Sequence, residues 1–172
     1  LWAWTGDAAL VSQAAPVLRL YAIGYAFLAV GAFPYYLQYA KGQLRMHLIG
    51  SALFLLLLIP SVIWAATLHG VTGAGWAWLV SNAVYFVVWV PLVHEKFIPG
   101  MHWSWMWADV LRPAVLPSLA ALLISIIYPW GEARSQLFAE LVVLSSIFGL
   151  IAYAQARRLG VLRGKFFRGR HG

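Results

Sequence analysis

Long apolar runs, each close to twenty residues or more, are separated along this chain by short clusters of polar and turn-forming residues. Five runs stand out: A from about 15 to 40, B from 48 to 68, C from 72 to 93, D from 113 to 130 and E from 137 to 156. A bilayer core takes about 20 apolar residues as a helix, because inside it every backbone N–H and C=O must be paired within the segment. The pattern therefore predicts an all-α, polytopic transmembrane helix bundle with about five spans over residues 1–156. B and C carry no charged residue. D is short and proline-rich, and E has Glu140 near its start. The connectors are brief: 41–45, 69–71 and 131–134. The exception is the stretch 94–112, which holds Trp103, Trp105 and Trp107 and reads as a loop.

Composition sharpens this. Hydrophobic residues make up 63% of the chain and charged ones 10%, against about 45–50% and about 25% in soluble domains. The net charge of +7 is uneven, with Arg157, Arg158, Arg163, Lys165, Arg168 and Arg170 crowded at the end. In so apolar a chain a basic tail over 157–172 marks the cytoplasmic side rather than a nucleic-acid partner. It is either a topological signal or a binder of anionic headgroups, with Phe166 and Phe167 as interfacial anchors. There is no cysteine, which excludes disulfides and thiolate sites. Leu1 to Gly6 read as the end of an earlier segment, so a longer protein is expected.

Loop cations set a direction. Lys41 and Arg45 lie between A and B, Lys96 and Arg112 flank the C–D stretch, and the tail has six; only Arg134 dissents. The N-terminal end is expected outside and the tail in the cytoplasm. Tryptophans and tyrosines gather at the expected outer and inner ends, as interfacial residues do.

Few residues in the spans carry chemistry. Arg19, about one turn inside A, either meets an anionic substrate in a central cavity or snorkels to the interface. Asn82, mid-way along C, either bonds a neighbouring helix or lines a polar cavity; Gln38 is similar near the inner end of A. The pairs Gly73/Ala77 and Ala22/Ala26 put small residues four apart, a spacing that lets helices approach closely. Pro34, Pro60 and Pro117 fall inside spans and predict kinks. No carboxylate sits at a midplane, so no ion-coupling site is expected here. The five histidines are scattered, and no metal, cofactor or enzyme signature is found.

Three stretches together resemble a known family: Trp4-Thr5-Gly6-Asp7 followed by Ala14-Ala15-Pro16-Val17-Leu18-Arg19-Leu20; Pro34-Tyr35-Tyr36-Leu37-Gln38 running to Gly42; and Gly70-Val71-Thr72-Gly73-Ala74-Gly75-Trp76-Ala77-Trp78. In order and spacing they resemble the C-terminal part of the Wzx-like polysaccharide and lipid-linked oligosaccharide flippases, within the multidrug/oligosaccharidyl-lipid/polysaccharide exporter superfamily. The resemblance covers roughly residues 2–117. It implies a twelve- to fourteen-helix transporter of two bundles in a bacterial inner membrane, of which A, B and C would be the tenth to twelfth helices and D and E an added pair. An N-terminal bundle of the same protein would then complete the substrate cavity, whose wall would include Arg19, Gln38 and Asn82. The cargo would be a polyprenyl-diphosphate-linked oligosaccharide. A drug exporter of the same superfamily, a membrane portion of an envelope enzyme and a non-catalytic membrane subunit remain competing readings.

Overall fold

The computed structural model describes residues 1–128 and 133–158, the side chains of Ala156 and Arg158 excepted. Among these residues every regular element is helical: α1 (Trp2–Thr5), α2 (Ala8–Val30), α3 (Ala32–Ala40), α4 (Leu44–Phe97), α5 (Met101–Trp105), a π-helical stretch (Met106–Leu111), α6 (Arg112–Ile127) and α7 (Arg134–Arg158). Four continuous helical stretches are long and apolar enough to cross a membrane: Ala8–Ala40, Leu44–Phe97, Met101–Ile127 and Arg134–Gln155. The second, at 54 residues, is about twice the length that one crossing needs.

That length resolves into two spans. His69 (φ −130°, ψ 15°) and Gly70 (φ +61°, ψ −148°) leave the helical region in the middle of α4. Gly70 takes a conformation almost closed to residues with a Cβ. On either side the limbs 44–68 and 71–97 fold back on each other. Phe54 meets Tyr85 edge-on, with ring centroids 5.1 Å apart. A Cβ on Gly50 would run into the Trp89 indole, and one on Gly73 into the Ala65 carbonyl. B and C are thus an antiparallel hairpin, and among the described residues five spans stand where a continuous α4 would give four.

The chain divides into two compact units, one of Asp7–Ser104 and one of residues 1–6 with the described residues from Trp105 onward. In the first unit α2 begins seven residues before the expected start of A. Asp7 explains the difference, since its carboxylate accepts the Leu10 N–H at 3.0 Å and caps the first turn. The helix then tolerates Pro16 in its interior and breaks at Gly31. Pro34, expected to kink a span, instead occupies the first turn of α3, where its missing N–H costs nothing. Helices α2 and α3 run alongside the second limb of α4. Val17 and Leu20 meet Gly75, and the Trp78 indole lies over Gly24. Further along, Phe27 meets Phe86 at 5.5 Å and Phe33 meets His94 at 6.0 Å.

The Trp-rich stretch expected as a loop is largely helical from Met101, and the turn shrinks to 98–100. Pro113 cannot donate to the carbonyl four residues back and its ring crowds that carbonyl; the π-helical turns just before it widen the helix there. D is α6 and ends at Ile127, with Pro117 in its interior. E is α7, and it includes Arg157 and Arg158 from the expected tail. The remaining tail cations Arg163, Lys165, Arg168 and Arg170 lie outside the described residues. Gln155 Nε2 donates to the Arg112 carbonyl at 3.2 Å, tying one end of α6 to the last turn of α7. Arg134, the cation that dissents from the charge count, donates through Nη2 to the Trp4 carbonyl at 2.8 Å, and its guanidinium lies against Gly6.

The distribution of side chains is inverted relative to a water-soluble protein. Leu56 and Ile127 are 71% and 73% exposed, whereas Gln38 and His94 are 1% and 0% exposed. Large apolar residues cover the outside along every long helix. Water would penalise such a surface, since monomeric soluble proteins rarely show apolar patches beyond a few hundred Å². In a bilayer the same surface is the solvated one, and the fold is that of a membrane-spanning helical bundle.

Candidate functional site

Two of the buried polar residues of the first unit, Gln38 and Asn82, gather around one cavity of about 560 Å³, within the range of ligand sites. It opens between α2–α3 and the two limbs of α4. Phe27, Leu28, Gly31, Ala32, Pro34, Tyr35 and Gln38 form one wall; His47, Ser51, Phe54 and Leu55 a second; Asn82, Tyr85, Phe86, Trp89 and Val90 a third. The break at Gly31 falls on the cavity wall. Two kinds of chemistry meet there. Aromatic faces line it in contact with one another, with Tyr85 stacked on Trp89 at 6.0 Å and Tyr35 tilted against His47 at 4.6 Å. Among them stand two carboxamides, one aliphatic hydroxyl and one imidazole, besides the phenol groups of Tyr35 and Tyr85; Ser51 Oγ and His47 Nε2 are 3.5 Å apart. No Lys, Arg, Asp or Glu lines the cavity.

Each carboxamide is oriented by its own helix. Gln38 Nε2 donates to the Pro34 carbonyl at 3.1 Å, and Asn82 Nδ2 to the Trp78 carbonyl at 2.8 Å. These bonds fix the amide planes without linking two helices. Gln38 Oε1 is left buried with no hydrogen-bond partner. A buried acceptor in that state is costly, by about 1–3 kcal/mol, and such groups mark functional sites often enough to warrant attention.

Of the three residues expected to share a cavity wall, the structure brings Gln38 and Asn82 together and leaves Arg19 apart. Arg19 is exposed on α2 and is not among the cavity residues. Ala22 and Ala26 also stay exposed; α2 meets the hairpin through Val17, Leu20 and Gly24 instead. Gly73 is buried within the hairpin, against the other limb of α4, while Ala77 is half-buried. Arg157 is exposed at the end of α7.

One juxtaposition escapes sequence reasoning. His94, fully buried, and His102 share a hydrogen bond between their Nδ1 atoms at 3.0 Å. The short turn at 98–100 folds the two rings together, and their separation of eight residues carries no helical or metal-ligand signature. Among the described residues no three His, Asp or Glu side chains converge to hold a metal ion.

The chain matches no family model, no curated protein and no solved structure.

Proposed function

We propose that this chain is part of a flippase that carries a polyprenyl-diphosphate-linked oligosaccharide across a bacterial inner membrane, for the synthesis of a surface polysaccharide, and that the cavity around Gln38 and Asn82 forms part of its substrate path. The observation that carries the reading is the cavity's chemistry: aromatic faces and carboxamides with no charged group, inside a bundle built to lie in lipid. Aromatic planes match the C–H faces of sugar rings, and amides supply both donor and acceptor to hydroxyls. An uncharged wall leaves the diphosphate to be held elsewhere, on the N-terminal bundle that the resemblance implies. The N-terminal end of the segment lies outside and its tail in the cytoplasm. The role is carriage rather than catalysis.

A drug exporter is the second reading, favoured by the predominance of aromatic and aliphatic residues over polar ones in the same cavity. Binding separates the two. The chain, reconstituted in phosphatidylcholine vesicles, is titrated with a polyprenyl-diphosphate oligosaccharide and, separately, with tetraphenylphosphonium, with tryptophan fluorescence as the readout. Saturable binding of the glycolipid is expected, weakened by about tenfold or more in Q38L/N82L through the loss of two hydrogen-bonding side chains. Glycolipid binding unchanged in that variant, or binding of the lipophilic cation alone, would contradict the proposal.

A further inference from the structure

A second recess, of about 650 Å³, lies where the start of α4 meets its last turns. Arg45 reaches it from the first limb and Lys96 from the second. Gln43 adds a carboxamide, and Leu44, Met46, Ile49 and Trp89 supply apolar walls. No acidic residue lines it. Glu95, the neighbour of Lys96, is exposed and outside the lining. Both cations are exposed, and among the described residues neither has a carboxylate within ion-pair distance in the structure. The two come from positions 51 residues apart in the chain, and only the antiparallel hairpin brings them to one end of the bundle.

The recess is amphiphilic in a specific order. Arg45 and Lys96 lie close to the two ends of the 54-residue helix, hence at the rim of the bundle. Ile49 and Trp89 lie one to two turns further in, where the limbs enter the apolar region. A ligand that fits must present a negative group at the membrane surface and an apolar chain below it. A free anion would leave the apolar walls supplied by Met46 and Ile49 uncovered, and an apolar molecule would leave two cations unmatched. Lys and Arg at this level attract anionic lipid, each contributing roughly fivefold in affinity near a charged leaflet, and a tryptophan belongs at the same depth.

We propose that this recess is a binding site for the phosphate headgroup of a lipid in the leaflet that the charge count places on the cytoplasmic side, with Arg45 and Lys96 engaging the phosphate and Ile49, Met46 and Trp89 receiving the top of its chain. The proposal requires that the chain sits in a membrane; it does not require the flippase reading or the aromatic cavity, so either can fail alone.

The test uses the full chain reconstituted in phosphatidylcholine with spin-labelled phosphatidic acid or spin-labelled phosphatidylcholine as the probe, the immobilised fraction giving the selectivity. Wild type is expected to prefer phosphatidic acid on the order of tenfold. R45Q/K96Q is expected to lose at least about threefold of that preference, beyond anything the basic tail contributes. R45K/K96R should keep it, and so should K41Q/R112Q, which removes the same charge outside both the recess and the basic tail. Circular dichroism of each variant checks that helix content is retained. Equal losses in R45Q/K96Q and K41Q/R112Q would reduce the effect to diffuse surface charge and overturn the site. Displacement of the labelled lipid by excess inorganic phosphate would also overturn it, because the apolar half of the recess would then be irrelevant.

Discussion

Gln38 and Asn82 each direct an amide N–H to a carbonyl one turn back on the same helix, which leaves the backbone ladder intact and makes neither side chain a strut between helices. For Gln38 the consequence is measurable. Its Oε1 is buried without a partner, so replacing the whole amide by an apolar side chain of similar size removes an unsatisfied acceptor along with one local bond to the Pro34 carbonyl, two effects of opposite sign. Gln38→Leu is therefore expected to leave the unfolding midpoint in detergent unchanged or slightly raised, within about 1 kcal/mol. A purely structural glutamine would give the opposite sign, a loss well beyond that. Both polar residues were legible in the sequence because an amide in an apolar run is conspicuous. The aromatic half of the site was not, because Phe54, Tyr85 and Trp89 look like any other lipid-soluble residue until the hairpin turns them toward the same space. Arg19 illustrates the converse: depth along a span can be read from sequence, but the face it occupies depends on the neighbour, and here it is exposed and outside the cavity lining.

Among the elements, the hairpin formed by α4 carries most of the architecture. Its two limbs were legible as the uninterrupted, charge-free runs B and C, and the turn between them as the cluster His69-Gly70-Val71. Gly70 makes the turn possible. A Cβ there would meet nothing within 4 Å, yet φ is +61°, so the cost of adding one is confined to the backbone. Gly70→Ala is expected to lower stability by about 1–3 kcal/mol, read from the unfolding midpoint, without altering helix content; an unchanged midpoint would mean that the limbs are not closed by this turn. Other boundaries were less legible for identifiable reasons. The start of α2 depends on the Asp7 cap, which lies outside the hydrophobic run. In the sequence the segment 101–111 reads as a loop because tryptophans at an interface suit helix and loop equally, and only the helix from Met101 distinguishes them.

For the whole molecule, apolar side chains outside and amides and imidazoles inside describe a protein solvated by lipid. The sequence conveyed this fully, since composition and run length need no tertiary contacts. It could not convey the convergence of positions far apart, and both the aromatic cavity and the cationic recess depend on that convergence. Each also depends on one claim: that α2–α3 and the two limbs of α4 cross the bilayer in alternation, with the turn at 41–43 on the cytoplasmic face and the turn at 69–71 on the other. The chain has no native cysteine, so single cysteines report without background. Gln43→Cys and Val71→Cys, both at exposed positions, in intact cells treated with a membrane-impermeant maleimide, give the most direct test. Labelling of the residue-71 variant, with the residue-43 variant labelled only after the membrane is permeabilised, is the expected result. Labelling of both from outside, or of the residue-43 variant alone, would contradict the account.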